Sequence, residues 1–472
     1  MDAFLAIGIF CATVAGVLLR PAYIPEAVPA LLGALAVLGA GLTTQSDLLR
    51  VAAVVGSAGS TIISTFIMAS VLADSGFFKL ASRNLIHKIH GSPLSLFGVV
   101  GAFIICATLF LNNDGAMILG MPVLIQLVRD LRLGKRAAIT LLFSACVLAS
   151  AASLPLGVSN LANLEAMGWM GITLLQHSET LALPSLAGLF ALAVGLQVLV
   201  ANAMRPNRNG PILAEPSPEA GPPPPAAGPP PRLHRPPLLH RRPGPPRAHR
   251  SAPPHPPAAP GPPFDRALAV TAIAVIIAVR IGFYVFAIAG WPQILLPVGG
   301  ALVLILVRTV RRGLRNQPFA KAPWHVLGFA FGMELVVFAL RNTGLLDFLT
   351  HIWAAVTALP PFAWAAVPAF VSSALAATMN NHPGLLVSTF SLAQTTLTGA
   401  QKLAMYGGIE LGSDLGSLIT PIGTLASLLW LHQLAAHGLQ VRWGEYMRMA
   451  ACVIPPALLA AVAVHGLLVA MA

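Results

Sequence analysis

Charged side chains are scarce in this sequence. Lys, Arg, Asp and Glu together make up 9% of the 472 residues, and only 16 of these residues are acidic. Soluble domains carry about 25% charged residues, so this composition excludes an ordinary soluble enzyme or binding module. With 56% hydrophobic residues and a mean hydropathy of +0.78, the sequence predicts an all-α polytopic membrane protein.

Cysteine is also rare, and the usual catalytic signatures are missing. The four cysteines, Cys11, Cys106, Cys146 and Cys452, lie in apolar runs and form no CxxC pair, so we expect buried, inert thiols. The histidines show no metal-ligand spacing, so neither a metal site nor a cofactor is expected. HExxH, GxSxG and Walker A patterns are absent, which favours a transporter over a membrane enzyme.

The positive charge that is present follows the membrane topology. The formal net charge is +12, and the basic residues lie in short loops between apolar runs, which is the positive-inside pattern. No aromatic side chains are interleaved with them for base stacking. We therefore expect a lipid bilayer, and not nucleic acid, as the surroundings of this chain.

Ten apolar segments are expected to cross the membrane as helices, two of them with internal breaks. They are residues 3–19, 24–42, 51–73, 137–163 (broken at 155–163), 181–204, 267–289, 295–307, 326–340, 405–434 (broken at 412–416 and 420–424) and 450–471. The first is expected to be a retained span, because Asp2 and the absence of a basic n-region argue against a cleaved signal peptide. Residues 77–90 predict an amphipathic interfacial helix.

Two further apolar segments carry polar residues at their centres. In 94–128 the centre is Asn112-Asn113-Asp114-Gly115, and the basic residues on both flanks favour a hairpin that enters and leaves the membrane on one side. Two full spans with a short outer turn are the alternative. The second segment, 361–397, has Met379-Asn380-Asn381-His382-Pro383 at its centre and predicts a second hairpin.

These elements divide the chain into two similar halves. Residues 1–204 and 266–472 each predict three spans, a hairpin, a broken span and a closing span. Residues 205–265 are rich in Pro, Arg and His and predict a disordered cytoplasmic linker. The order predicts an inverted-topology repeat with a midplane site built from hairpin tips and broken helices, and it places both termini outside.

Polar residues at these tips and breaks are the candidate site residues, because lipid offers them no partners. The candidates for substrate binding are Asn112, Asn113, Ser159, Asn160, Asn163, Asn380, Asn381, Thr420, Gly423 and Thr424, and the candidates for proton coupling are Asp114 and Asp414. The alternative for the Asn and Ser residues and for both Asp residues is helix capping. Glu334 could pair with Arg341, which is about two turns away on the same helix, or be a structural ion or a charge on a packing face.

Four segments carry a family resemblance. LFLNNDGAMILGMPVLI, SLPLGVSNLANLEAMGWMGI, GMELVVFALRNTGL and IELGSDLGSLITPIGTLASLLWLHQL resemble the corresponding segments of the arsenical pump membrane proteins, the arsenite permeases of the ion transporter superfamily. The resemblance covers the chain except the Pro-rich insert. Ser417-Leu418, Glu334 and His382 depart from the family pattern.

The resemblance implies export of arsenite, and of antimonite, across the cytoplasmic (inner) membrane, and so arsenical resistance. It implies coupling to protons, or to a cytoplasmic arsenite-stimulated ATPase where one is present. Arsenite is a neutral trihydroxide near neutral pH, so amides and hydroxyls suit it and no thiolate is required. A sodium/proton antiporter or a carboxylate transporter of the same superfamily is the alternative function.

Overall fold

The computed structural model describes residues 2–19, 24–87, 89, 92–205, 264–313 and 318–472. Within these ranges the chain is helical and contains no strand, and nine helices are long and apolar enough to cross a membrane. The predicted all-α polytopic fold is therefore confirmed. Nearly all of the predicted linker, 205–265, lies outside the described residues, and its disorder stays a prediction.

The two halves contain helices in matching order. The first half comprises α1 (Asp2–Leu19), α2 (Ala27–Gly39), α3 (Gln45–Asp74), α4 (Phe77–His87), α5 (Pro93–Leu111), α6 (Asn113–Gly115), α7 (Met121–Asp130), α8 (Lys135–Ser153), α9 (Leu161–Met170) and α10 (Leu174–Ala203). The second comprises α11 (Arg266–Ala289), α12 (Leu295–Arg312), α13 (Trp324–Asn342), α14 (Asp347–Val356), α15 (Pro361–Met379), α16 (Asn381–Ala393), α17 (Gly399–Gly416), α18 (Leu425–Ala436) and α19 (Trp443–Met471). A π-helical turn, Ala116–Gly120, joins α6 to α7.

Local sequence signals explain where several of these helices begin. Thr44, Thr173 and Thr398 form capping boxes at the starts of α3, α10 and α17, so the first backbone N–H groups are satisfied. Pro93 and Pro361 begin the first helix of each hairpin, a position where the missing N–H of proline costs nothing.

Each predicted hairpin turns at one asparagine. Asn112 and Asn380 have φ values of 71° and 84°, in the left-handed region that Asn tolerates better than most residues. The Asn112 side chain accepts a hydrogen bond from the Gly115 N–H at 2.7 Å, and the Asn380 side chain accepts one from the His382 N–H at 3.4 Å. The same residue thus reverses the chain and caps the returning helix.

The return arm of the second hairpin is short. α16 contains 13 residues, which is about 20 Å of helix, less than the ~30 Å of a hydrocarbon core. This length supports a re-entrant hairpin. In the first hairpin, helical structure continues from Asn113 to Asp130, so the choice between a hairpin and two full spans stays a prediction there.

The second broken span has one break where two were predicted. α17 runs without interruption through Gly412 to Gly416, and the chain leaves helical geometry only between Ser417 and Thr424. The glycines serve packing: a Cβ on Gly412 would overlap the backbone carbonyl oxygen of Ala369 on α15. They allow α15 and α17 to approach closely, so the predicted break at 412–416 is wrong.

Two pairs of helices pack reciprocally between the halves. α2, the second helix of the first half, packs against α13, the third helix of the second half. In the same way α12, the second helix of the second half, packs against α3, the third helix of the first half. This reciprocal packing is expected of an internal repeat, while the inverted orientation relative to a membrane stays a prediction.

The expectation of buried cysteines holds only for Cys146; Cys11, Cys106 and Cys452 are exposed on the helix surfaces.

The second half begins at an anchored residue. The Asp265 N–H donates to the Ser75 carbonyl at 2.9 Å, and Arg311 donates two hydrogen bonds to the Asp265 carboxylate, each 3.0 Å long. These bonds from the Arg311 guanidinium lower the pKa of the Asp265 carboxyl below its ordinary value. The anchor fixes the start of α11 next to the end of α3.

Candidate functional site

Both hairpin tips and both helix breaks meet at one small cavity. Its volume is about 50 Å³. Seven of the predicted residues line it: Asn113, Asp114, Asn160, Asn380, Asn381, Asp414 and Thr424. Residues from the two halves thus contribute to one site, as an internal repeat predicts.

The carboxylate of Asp414 is the centre of the polar contacts. Its Oδ1 accepts hydrogen bonds from Asn381 Nδ2 at 2.8 Å and from Asn160 Nδ2 at 3.2 Å. Its Oδ2 accepts one from Asn163 Nδ2 at 2.9 Å. The side chain is 3% exposed. Asp414 lies inside α17 and is not a helix N-cap, so the capping alternative for this residue is wrong.

The orientation of two of these amides follows from their other hydrogen bonds. The Asn160 oxygen accepts from the Ala162 N–H at 3.1 Å, which directs its NH₂ group toward Asp414. The Asn381 oxygen accepts from the Ser413 hydroxyl, which has the same effect. Because all three amides donate to it, the arrangement suits an ionised carboxylate, which only accepts hydrogen bonds.

The second hairpin tip is also bonded to the second helix break. The Asn381 N–H donates to the Gly423 carbonyl at 2.6 Å, and Asn380 Nδ2 donates to the Ile422 carbonyl at 2.9 Å. Backbone carbonyls freed by the break therefore satisfy the hairpin tip. The break and the tip hold each other in place inside the protein.

Five predicted residues do not line the cavity: Asn112, Ser159, Asn163, Thr420 and Gly423. Asn163 and Gly423 bond to residues that do. Thr420 donates its hydroxyl to the Ala377 carbonyl at 2.7 Å, so it fixes α15 against the break. Asn112 caps Gly115, and the buried Ser159 hydroxyl has no hydrogen-bond partner among the described residues.

The first hairpin presents polar groups that are less fully bonded. Within the described part of the chain, the buried Asn113 Oδ1 has no hydrogen-bond partner. Buried Asn112 Nδ2 also lacks a hydrogen-bond partner in the described ranges. The same holds there for the hydroxyl of Ser150, which lies on α8 and lines the same cavity. These groups give the site hydrogen-bonding capacity for a small polar ligand.

Sequence reasoning missed an acidic cluster beside the cavity. Glu165 on α9 is 0% exposed, and its Oε2 lies 3.3 Å from Nε2 of His382, which lines the cavity. Glu334 on α13 is also 0% exposed and accepts a hydrogen bond from Trp169 Nε1 at 2.9 Å. Arg341, considered as one possible partner of Glu334, lies over the Phe338 ring. The available signal was a lone Glu at position 165 within an otherwise uncharged helix.

A second buried polar contact lies farther along α17. His177 Nε2 lies 3.0 Å from the Leu154 carbonyl, so this nitrogen is the donor, and Nδ1 then accepts from the Tyr406 hydroxyl at 2.8 Å. The contact joins α10 to α17 next to the first helix break. It is a structural connection that no local pattern in the sequence indicates.

The lining defines what the cavity can bind. Amides, hydroxyls and two carboxylates face it, and no Lys or Arg is among the described residues that line it. In the described ranges, no group of three or more His, Cys, Asp or Glu is placed to hold a metal ion. The chemistry suits a small neutral molecule with several hydroxyl groups.

The chain is similar to known transporters over nearly its whole length. The model of a citrate transporter family, CitMHS, matches residues 10–406. A putative arsenical pump membrane protein of Bacillus subtilis (strain 168) is 31% identical over 464 residues, which is 94% of this chain and 95% of the relative. An arsenical pump membrane protein of Escherichia coli is 27% identical over 98% of both chains, and one of Yersinia enterocolitica is 27% identical over 90% of both.

Proposed function

This chain belongs to the CitMHS citrate transporter family and to the arsenical pump membrane proteins, and we propose that it exports arsenite from the cell. It is a secondary transporter and a multi-pass protein of the cytoplasmic membrane. The observation that carries the proposal is the 31% identity to a putative arsenical pump membrane protein over 94% of this chain.

The cavity supports this choice of substrate. A buried water needs about 10–15 Å³ on the same measure, so about 50 Å³ accommodates on the order of four water-sized groups. Arsenite, As(OH)₃, is an arsenic atom with three hydroxyls and is uncharged near neutral pH. Its hydroxyls can donate to Asn113 Oδ1 and accept from amide N–H groups, without a coordinate bond to arsenic. Antimonite has the same hydroxyl arrangement and is proposed as a second substrate.

We propose that protons drive the export through Asp114. Asp114 lines the cavity and is partly exposed, so its carboxylate is placed to exchange a proton. Proton binding from outside releases arsenite, and loss of the proton inside prepares the site again. Asp414, with its three amide donors, holds the site together, and its own proposed role in coupling is secondary. An ATPase partner is not needed for this cycle.

The name of the matched family supports a second candidate, a carboxylate transporter. The cavity argues against it, because Asp114 and Asp414 face it and the described lining residues include no Lys or Arg. Like charges at short distance cost several kcal/mol. A sodium/proton antiporter is the other candidate, since the two carboxylates could also attract a cation.

One transport experiment separates these functions. Everted membrane vesicles containing the protein are given a pH gradient, and uptake of arsenite, citrate and sodium is measured separately. We expect gradient-dependent uptake of arsenite alone, together with arsenite resistance in a sensitive host. Uptake of citrate or sodium without arsenite would contradict the proposal.

A further inference from the structure

Glu165 and His382 form a buried contact that is not among the contacts proposed above for arsenite. Glu165 is 0% exposed and His382 is 6% exposed. Glu165 Oε2 and His382 Nε2 are 3.3 Å apart, and neither atom has an aligned hydrogen bond to another described residue. A buried carboxylate without a partner is strongly disfavoured. The contact is attractive when a hydrogen lies between the two facing atoms. A neutral His382 can place its N–H on Nε2, but the pair then keeps one buried negative charge, which an added proton neutralises.

The buried charged groups on α13 and α17, which pack against α16, are acids, and the basic residues of these two helices, His325, Arg341 and Lys402, lie near the helix ends. Glu334 faces the pair from α13, Asp414 lies on α17, and Asp114 lines the same cavity as His382. α15 carries no titratable side chain. The titratable side chains of α14 are exposed, and the titratable side chains of α3 lie near the two ends of that helix. Taking up one proton therefore changes the pair from a net negative to a neutral buried unit.

The two helices that carry the pair also carry the amides that bind Asp414. Glu165 is on α9, which holds Asn163 and is capped by Asn160, and His382 follows Asn381 at the start of α16. α9 and α16 pack directly against each other. Any change in the attraction between Glu165 and His382 therefore acts on the distance between the amides on either side of Asp414.

We propose that Glu165 and His382 form a proton-binding site, separate from Asp114, that controls whether the α9 and α16 amides bind Asp414 or arsenite. This rests on the proposed function. With the proton bound between Glu165 Oε2 and His382 Nε2, the helices stay together and the amides donate to Asp414. When the proton leaves, the pair keeps a buried negative charge beside Glu334, so α9 and α16 separate and the amides become available to arsenite hydroxyls. The amides exchange one hydrogen-bond acceptor for another, and the only covalent bond that changes is the O–H or N–H bond of the moving proton.

The proposal predicts competition between protons and arsenite. Linkage to one proton changes an affinity by up to about tenfold per pH unit, and the coupling is reciprocal. In an Asp114→Asn background, which removes the other exchanging carboxylate, arsenite affinity should still fall as the pH falls. The double variant Asp114→Asn/Glu165→Gln mimics the protonated pair, so its affinity should be low and should vary less than twofold with pH.

The binding test uses the full chain in lipid nanodiscs and titrates arsenite calorimetrically at several pH values. Equal pH slopes in the two variants would overturn the proposal while leaving arsenite export intact, and so would the absence of any slope in Asp114→Asn alone. Glu410→Gln in the same background is the matched control, because Glu410 is an equally buried acid on α17 that does not line the cavity. It should retain the slope.

A second measurement does not require arsenite. Infrared difference spectra between acidic and alkaline buffer detect carboxylic acid C=O groups directly. We expect a component that Glu165→Gln removes and Glu410→Gln retains. His382→Gln, which removes the imidazole, should shift this component, and it serves as the test if Glu165→Gln does not fold. Spectra unchanged by the Glu165 and His382 substitutions would overturn the proton site. Loss of the component in a protein that binds no arsenite would support the proton site and contradict the proposed function.

Discussion

Amide side chains in this protein have two different tasks. Asn112 and Asn380 turn the chain and cap the return helices, whereas Asn160, Asn163 and Asn381 donate to Asp414. The sequence shows two identical Asn-Asn pairs. The first member of each pair turns and caps the chain, although Asn380 also lines the cavity, and the second member of each pair lines the cavity without a capping task. Substitutions of the second members are therefore the informative ones.

Asn381→Ala should reduce arsenite affinity and efflux without preventing membrane insertion. The substitution removes the amide that is proposed to donate to an arsenite hydroxyl, and a hydrogen bond between neutral groups contributes about 0.5–1.5 kcal/mol, so the affinity should fall roughly two- to tenfold. Arsenite binding and vesicle uptake measure the effect. Asn342→Ala is the control, since Asn342 bonds to Leu42 and Asp47 away from the cavity. Equal uptake by both variants would rule out a role of Asn381 in the site.

Asp114→Asn tests the proton exchange step. The amide has nearly the shape of the carboxylate and can still cap a helix, but it cannot titrate. The variant should exchange arsenite across vesicles at equal concentrations and lose most of the uphill transport driven by a pH gradient, with the remainder expected from the Glu165–His382 proton site. Asp130→Asn, at the end of the same hairpin arm and bonded to Gln126, should transport normally. Uphill transport by Asp114→Asn with the wild-type response to pH would show that the proton is carried elsewhere.

Among the helices, the closest packing is between α15 and α17. Gly408, Gly412 and Gly416 recur every four residues along one side of α17, and added Cβ atoms there would meet Ala365, Ala369 and Ser373 on α15. Small residues at this spacing let helix backbones approach closely, which is a usual basis for helix association in lipid. Because Asp414 lies between two of these glycines, their packing also positions the centre of the site.

Gly412→Ala should destabilise the protein and weaken transport. Its Cβ would overlap a backbone carbonyl that cannot move unless the helices separate, and overpacking costs about 1–3 kcal/mol. Thermal unfolding in detergent measures the loss of stability. Gly299→Ala on α12, where an added Cβ meets nothing within 4 Å, should be close to neutral. Identical unfolding temperatures for the two variants would contradict the close packing of α15 and α17.

The whole molecule consists of two halves that share one site, with the Pro-rich insert between them in sequence. The last residue of the insert, Asp265, caps α11 and is held by Ser75 and Arg311. The joining of the halves therefore depends on this anchor and on interhelical packing.

Deletion of residues 210–260 should preserve arsenite transport, because the deletion spares Asp265 and a segment of this composition cannot bury a core. A short flexible joint replaces the segment, and vesicle uptake is compared at equal membrane levels. A variant with the same segment in scrambled order is the matched control and should also transport. Loss of transport by the deletion variant at a normal membrane level would show that the insert is a functional element.

The sequence by itself determined the membrane class, most of the helices, the two Asn-Asn turns and seven of the residues that line the cavity. These follow from local properties: runs of apolar residues, helix-breaking Pro and Gly, and polar groups in places where lipid cannot solvate them. The family resemblance rested on segments of the same kind. Where local properties were ambiguous, as for the glycines of α17, the sequence-based prediction of a break was wrong.

Tertiary structure alone decided which polar residues meet. Asn160 and Asp414 are 254 residues apart in the chain, and Glu165 reaches His382 from the other half. No periodicity or propensity encodes such contacts, because they arise when helices from both halves pack around the cavity and buried polar groups must find partners there. Packing therefore made Asp414 the centre of the amide cluster and placed a second buried acid, Glu165, beside a histidine.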